Sequence, residues 1–178
     1  FLLARLHPIF TGSEAWFWIV GGVGAATLVL AAAEALFRHD IKGLLAYSTI
    51  SHLGLITLLF GLDTQLSVVA GVFHIINHAT FKAALFMNAG IVDHETGTRD
   101  IKQLGGLWHL MPITATLAMV AAASMAGVPL LNGFLSKEMM LEQVAQTAWL
   151  DQPWLMAIIA TLAALCSVAY SFRYIVHV

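Results

Sequence analysis

The chain has 178 residues, 60% of them hydrophobic and only 10% charged, with a mean hydropathy of +0.85. A soluble domain carries roughly 25% charged residues, so this composition excludes a soluble globular protein and specifies one that spans a membrane. The formal net charge of −2 gives no polybasic surface for nucleic acid, and Cys166, the single cysteine, permits neither a disulfide framework nor a thiolate metal centre.

In chain order, residues 1–6 form an apolar turn too short to cross a bilayer. They read as the tail of a truncated helix, and the chain as an internal piece of a larger membrane protein, a single transmembrane domain with no signal-peptide pattern. Residues 16–37 are the first full span, rich in the small residues that let membrane helices pack closely. Arg38-His39-Asp40-Ile41-Lys42 is a polar joint, followed by a span at 44–62 and a short turn marked by Asp63 and Gln65. Residues 66–92 make the next span, above the ~20 residues a transmembrane helix needs. Residues 93–106 (DHETGTRDIKQLGG) are the longest polar stretch, expected in water or the headgroup region. Trp108 and His109 suit the interface ahead of a span at 111–126.

Gly127-Val128-Pro129-Leu130-Leu131-Asn132-Gly133 interrupts the helical pattern, because proline lacks a backbone donor and glycine loosens the chain. Helix is expected to resume over 134–149, to turn at Asp151-Gln152-Pro153 and to end in a span at 154–178. Irregular backbone at membrane depth is tolerated only where protein or a water-filled cavity satisfies it, and broken helices beside buried charge are how many transporters build ion sites. If each span crosses once, Arg38, Lys42, Arg99 and Lys102 fall on one side, which the positive-inside rule makes cytoplasmic.

The densest chemistry lies in the 66–92 span, which holds His74, His78 and Lys82 and no acidic residue. Their i, i+4, i+8 spacing draws one stripe along a helix. A charge at bilayer depth costs at least ~2.5–3.5 kcal/mol, so such groups mark polar pathways. Neutral imidazoles accept a proton on one nitrogen and donate from the other, which suits a relay ending at a lysine that stores the proton, with Asn77 and Thr80 flanking it. The alternative is that all three are satisfied by partner helices and only orient packing. The His74/His78 spacing also fits a helical metal pair, but Ile75 stands where the metalloprotease glutamate would be, and no third ligand is visible.

Lys137, Glu138 and Glu142 follow the break. They either lead protons toward one surface or lie at the interface, where lysine snorkels and glutamate is solvated. His52, with Ser48, Thr49 and Ser51, either lines the same polar path or is structural. Glu34 and Arg38 form an i, i+4 pair at an interfacial joint. His94, Glu95, Arg99, Asp100 and Lys102 read as a solvated loop. No Walker loop, dinucleotide fingerprint or nucleophile elbow occurs, so no cofactor is expected.

Three segments in register resemble a known family. The phrase from Asp40 to Gly54 (DIKGLLAYSTISHLG), the His74–His78–Lys82 stripe and Gly133-Phe134-Leu135-Ser136-Lys137-Glu138 are similar to antiporter-like membrane subunits. These are the proton-pumping subunits of respiratory complex I and the large subunits of Mrp-type cation/proton antiporters. Within that family, Asp93 to Ile101 and Leu2 to Pro8 are similar to the A-type subunits of Mrp antiporters. The resemblance implies an all-α transmembrane bundle of two inverted five-helix repeats, each with a broken helix. This chain would hold the end of the first repeat and the second, with its break near Pro129. It implies that Lys82 is the central proton-carrying lysine, His74 and His78 its relay neighbours, Lys137 the lysine of the broken helix and His52 part of the same path. The function implied is Na⁺/H⁺ antiport in a multi-pass bacterial cell-membrane complex with other subunits as partners. The alternative is a proton-pumping subunit of a redox complex that itself carries no redox centre.

Overall fold

A computed structural model describes residues 1–62, 64–149, 152 and 154–177. The elements are α1 (Leu2–Phe10), α2 (Glu14–Trp16), a π-helical turn (Phe17–Gly21), α3 (Gly22–Phe37), α4 (Ile41–Gly61), α5 (Gln65–Thr96), α6 (Leu107–Leu110), α7 (Pro112–Ala126), α8 (Asn132–Ala145) and α9 (Leu155–His177). Among the described residues the only extended pairing is two isolated bridges, Asp40 with Asp100 and Trp149 with Gln152. Among the described residues, four helical stretches are long and apolar enough to cross a membrane: Glu14–Phe37, Ile41–Gly61, Leu66–Thr96 and Leu155–His177. The all-helical bundle expected from the sequence is therefore present.

Boundaries follow local chemistry. The α4 helix starts at Ile41, three residues before the predicted span, because the Asp40 side chain caps it by accepting from the backbone N–H of Lys42 (3.2 Å) and Gly43 (3.1 Å). Thr64 caps α5 in the same way, accepting from Ser67 N–H at 3.1 Å. The α5 helix runs to Thr96, so Asp93, His94, Glu95 and Thr96 are helical and the polar loop starts four residues later than predicted. Its 32 residues extend about 48 Å at ~1.5 Å per residue, well beyond a hydrocarbon core of ~30 Å. That length carries the polar last turn out of the apolar layer. Gly97, at φ +69°, then ends the helix. The α8 helix stops at Ala145, short of the predicted 149. Asp63, Asp151, Pro153 and Val178, which fall in the predicted turns and the last span's end, lie outside the described residues.

The break is where the sequence places it. At the end of α7, Val128 N–H donates to Ala123 O (3.0 Å) and Gly127 N–H to Ser124 O (3.1 Å). With Gly127 at φ +88° this is a Schellman closure. Pro129 cannot continue the helix, and α8 begins at Asn132. Elsewhere backbones nearly touch. A Cβ built on Gly24 would lie 2.4 Å from Leu58 N, and one on Gly54 would lie 2.5 Å from Leu28 N. Glycine at both points is what lets α3 and α4 approach so closely.

Two apolar clusters fill the bundle. One includes Leu44, Leu45, Leu85, Met125 and Tyr174; the other includes Leu28, Leu58, Leu59, Met140 and Met156. Along α4 the buried polar residues Ser48, Ser51 and His52 separate the two.

At one end, Ile41 N–H donates to Arg99 O (2.9 Å) and Ile101 N–H to His39 O (2.8 Å), tying the α3–α4 joint to the loop after α5. Asp93 Oδ2 accepts there from Lys42 Nζ (2.6 Å) and Arg99 Nε (2.9 Å). Glu34 pairs with Arg38 as the spacing predicts, and Arg38 also sits 4.3 Å from the centre of the Tyr47 ring. His94, Glu95, Arg99 and Lys102 are exposed, in keeping with a solvated segment, and Asp100 is half-buried by the bridge.

Candidate functional site

The helical period turns His74, His78 and Lys82 of α5 toward α4 and α8. All three are buried, at 0, 8 and 5% exposure, so the stripe faces protein. His52, 3% exposed on α4, joins them. Its Nδ1 lies 2.9 Å from His74 Nε2, and its ring centre lies 5.1 Å from that of His74 and 5.2 Å from that of His78. The His74 and His78 rings are themselves 6.1 Å apart and stacked. Three imidazoles from two helices thus form one group.

Lys82 lies one turn beyond His78. Its Nζ donates to Ser48 Oγ and to Leu45 O, the latter at 3.2 Å. Lys137 Nζ donates to Ala126 O (3.0 Å) and Ser167 Oγ (2.9 Å). Ala126 ends α7, so the break frees the carbonyl that holds this amine. The negative end of a helix dipole favours a cation at that spot. Among the described residues, neither lysine has a carboxylate within salt-bridge distance.

Both nitrogens of His74 are engaged, since its Nδ1 lies 3.0 Å from Ser136 Oγ on α8. His52 Nε2 lies 3.4 Å from Tyr170 Oη on α9. A neutral imidazole has one N–H and one acceptor, so these bonds fix one another. If Tyr170 donates to His52 Nε2, His52 Nδ1–H donates to His74 Nε2 and His74 Nδ1–H to Ser136 Oγ. The Ser136 hydroxyl then donates to Gly133 O, 3.2 Å away. Reversing any one bond between Tyr170 and Ser136 reverses the others. Such a chain with two polarities can pass a proton along its length. Among the described residues, His78 Nε2 is buried with no hydrogen-bond partner.

Five of the six predicted site residues, Lys82, His74, His78, His52 and Lys137, line this polar interior. Glu138 does not: α8 buries Ser136, Met140 and Gln143, and its period turns Glu138 and Glu142 to the exposed side. Asn77 donates to Asn132 O at 3.1 Å and pins α5 to the break, whereas Thr80 donates within its own helix to Ile76 O and is exposed. Ser167 and Tyr170 were not singled out from sequence. The signal was present, because Ser167, Tyr170, Ser171 and Tyr174 recur at helical spacing on the buried face of α9.

The fold is an all-helical membrane bundle with a buried lysine–histidine interior. The family model described as "NADH:quinone oxidoreductase/Mrp antiporter, TM" matches residues 1–166, and the chain belongs to that family. A probable K⁺/H⁺ antiporter A/B subunit of Rhizobium meliloti is 62% identical over 176 residues, 98% of this chain and 18% of that protein. The A-type Na⁺/H⁺ antiporter subunit of Alkalihalophilus pseudofirmus is 51% identical over 153 residues, 78% of this chain and 19% of that protein. Among solved structures, the Mrp complex of a Dietzia species aligns over 98% of this chain and 20% of its own matching chain, with TM-score 0.92 and 41% identity. An archaeal membrane-bound sulfane sulfur reductase aligns over 98% of this chain and 36% of its own, with TM-score 0.88 and 33% identity. The resemblance to antiporter-like subunits, and within them to the A-type subunits of Mrp antiporters, is borne out. The chain spans about a fifth of the length of these two curated relatives.

Proposed function

We propose that this chain is the proton-carrying part of a multisubunit monovalent cation/H⁺ antiporter in a bacterial cell membrane, a secondary transporter rather than an enzyme. It forms one transmembrane domain of a longer subunit and works with partner subunits. The observation that carries the reading is Lys82, buried one turn beyond His78 of the histidine group and held, among the described residues, by a hydroxyl and a backbone carbonyl. Neutral oxygens can solvate an ammonium at a depth where lipid cannot. They also let it give up its proton without breaking an ion pair. His52, His74 and His78 supply the relay, and Lys137 sits where the broken helix offers its last carbonyls. The exchanged cation is Na⁺, as in the name of the Alkalihalophilus relative, with K⁺ the other candidate that a relative's name supplies.

The test is Lys82→Ala in the assembled complex, with proton flux in everted vesicles driven in turn by Na⁺ and K⁺. Cation-driven flux is expected to vanish while complex yield is unchanged. Full cation-driven flux in that variant overturns the assignment. A second reading, a proton-pumping subunit of a redox complex, is favoured by the likeness to the sulfane sulfur reductase. It predicts proton movement that follows electron transfer and ignores the cation gradient.

A further inference from the structure

We infer that Tyr170, with Ser167, is the relay that joins the Lys137 amine to the histidine group. This rests on the proton-carrying reading above and adds α9 to a path otherwise built from α4, α5 and α8.

Geometry carries it. Tyr170 is fully buried and Ser167 is 5% exposed, so neither hydroxyl is placed for bulk water. Ser167 Oγ accepts from Lys137 Nζ at 2.9 Å and lies 3.4 Å from Met125 O. Tyr170 Oη lies 3.4 Å from His52 Nε2, long enough to exchange for a shorter water-bridged contact. A cavity with about 20 Å³ of space for water is bounded by Ser51, His52, Lys137, Ser167 and Tyr170. A single water needs roughly 10–15 Å³ and two to four polar partners, and this cavity meets both conditions. Apart from these two hydroxyls and Ser51, whose hydroxyl is turned to Leu28 O, the wall of the cavity between Lys137 and His52 is apolar, formed by Leu28, Leu55, Met140 and three alanines.

The step balances. The Lys137 ammonium gives a proton to Ser167 Oγ, Ser167 passes its own hydroxyl proton to the cavity water, and the water gives one to Tyr170 Oη. Tyr170 gives its own proton to His52 Nε2, and His52 releases its Nδ1 proton to His74 Nε2. The Ser167 hydroxyl, the water and the phenol each form one O–H bond and break one, so all three end neutral. Lys137 ends as the free amine and the charge rests on the imidazoles. The reverse sequence returns it.

The experiment uses the assembled antiporter complex carrying Tyr170→Phe, which keeps the ring and removes only the hydroxyl. Cation-driven proton flux is measured in H₂O and D₂O, together with complex yield and thermal midpoint. The expected result is a flux lowered about a hundredfold or more, within the range a positioned proton donor contributes, with a larger solvent isotope effect and unchanged yield. A purely structural role would lower yield or midpoint and leave the isotope effect alone, and that outcome overturns the proposal. So does a wild-type flux. If the phenylalanine variant fails to assemble, Ser167→Ala carries the test, and flux within twofold of wild type overturns it. Lys82→Ala separates the two claims. Loss of antiport there beside a wild-type rate in Tyr170→Phe removes only the role of Tyr170, whereas full antiport in Lys82→Ala removes the wider reading.

Discussion

Gly133→Ala probes how tightly the broken helix sets the polar interior. A Cβ at Gly133 would sit 1.8 Å from Ser124 O and 2.8 Å from Ser124 C. Ordinary carbon–oxygen contacts are roughly 3.3–3.6 Å, so α8 must retreat from α7 by about 1.5 Å. Both clashing atoms are backbone, and no rotamer change relieves them. Lys137 can follow on its four-carbon stem, but the short Ser136 side chain cannot. A displacement of that size takes its 3.0 Å contact with His74 beyond the ~3.5 Å at which a hydrogen bond is lost. Overpacking of this kind costs typically 1–3 kcal/mol. Gly133→Ala is therefore expected to lower the thermal midpoint of the complex and to cut cation-driven proton flux by about tenfold or more. Gly90→Ala is the control, since a Cβ there meets nothing within 4 Å and alanine is the better helix former. Wild-type flux and midpoint in Gly133→Ala, or equal losses in both variants, would show that the α7–α8 contact does not position Ser136.

Two further expectations concern the scaffold. Gly24→Ala places a methyl 2.4 Å from Leu58 N, so the α3–α4 pair must separate, with a cost of about 1–3 kcal/mol read as reduced complex yield and thermal midpoint. Asp93→Asn removes the carboxylate shared by Lys42 and Arg99. Ion pairs open to solvent contribute little to stability, so a small loss of midpoint is expected that shrinks at high salt, with proton flux unchanged.

Much of the architecture is legible in the residues because the bilayer imposes simple rules. Apolar runs must be helices, Gly127 and Pro129 must interrupt one, and His74, His78 and Lys82 must share a face. Helix ends were less legible. The last turn of α5 looked like loop because Asp93, His94 and Glu95 are charged or polar, yet a helix longer than the hydrocarbon layer carries such residues without penalty. Glu138 looked like a neighbour of Lys137, but adjacent residues on a helix are about 100° apart, and burying Ser136 and Met140 turned Glu138 outward.

Sequence alone determined that the chain crosses a membrane as helices and where one of them breaks, because each follows from periodicity and the cost of leaving backbone polar groups unsatisfied in lipid. Only the tertiary structure decided that His52 of α4 stacks with the α5 histidines, that Ala126 O holds Lys137 and that Tyr170 of α9 reaches His52. Those contacts join residues between 11 and 118 positions apart, and the relative rotation and offset of packed helices that bring them together is written in no local pattern.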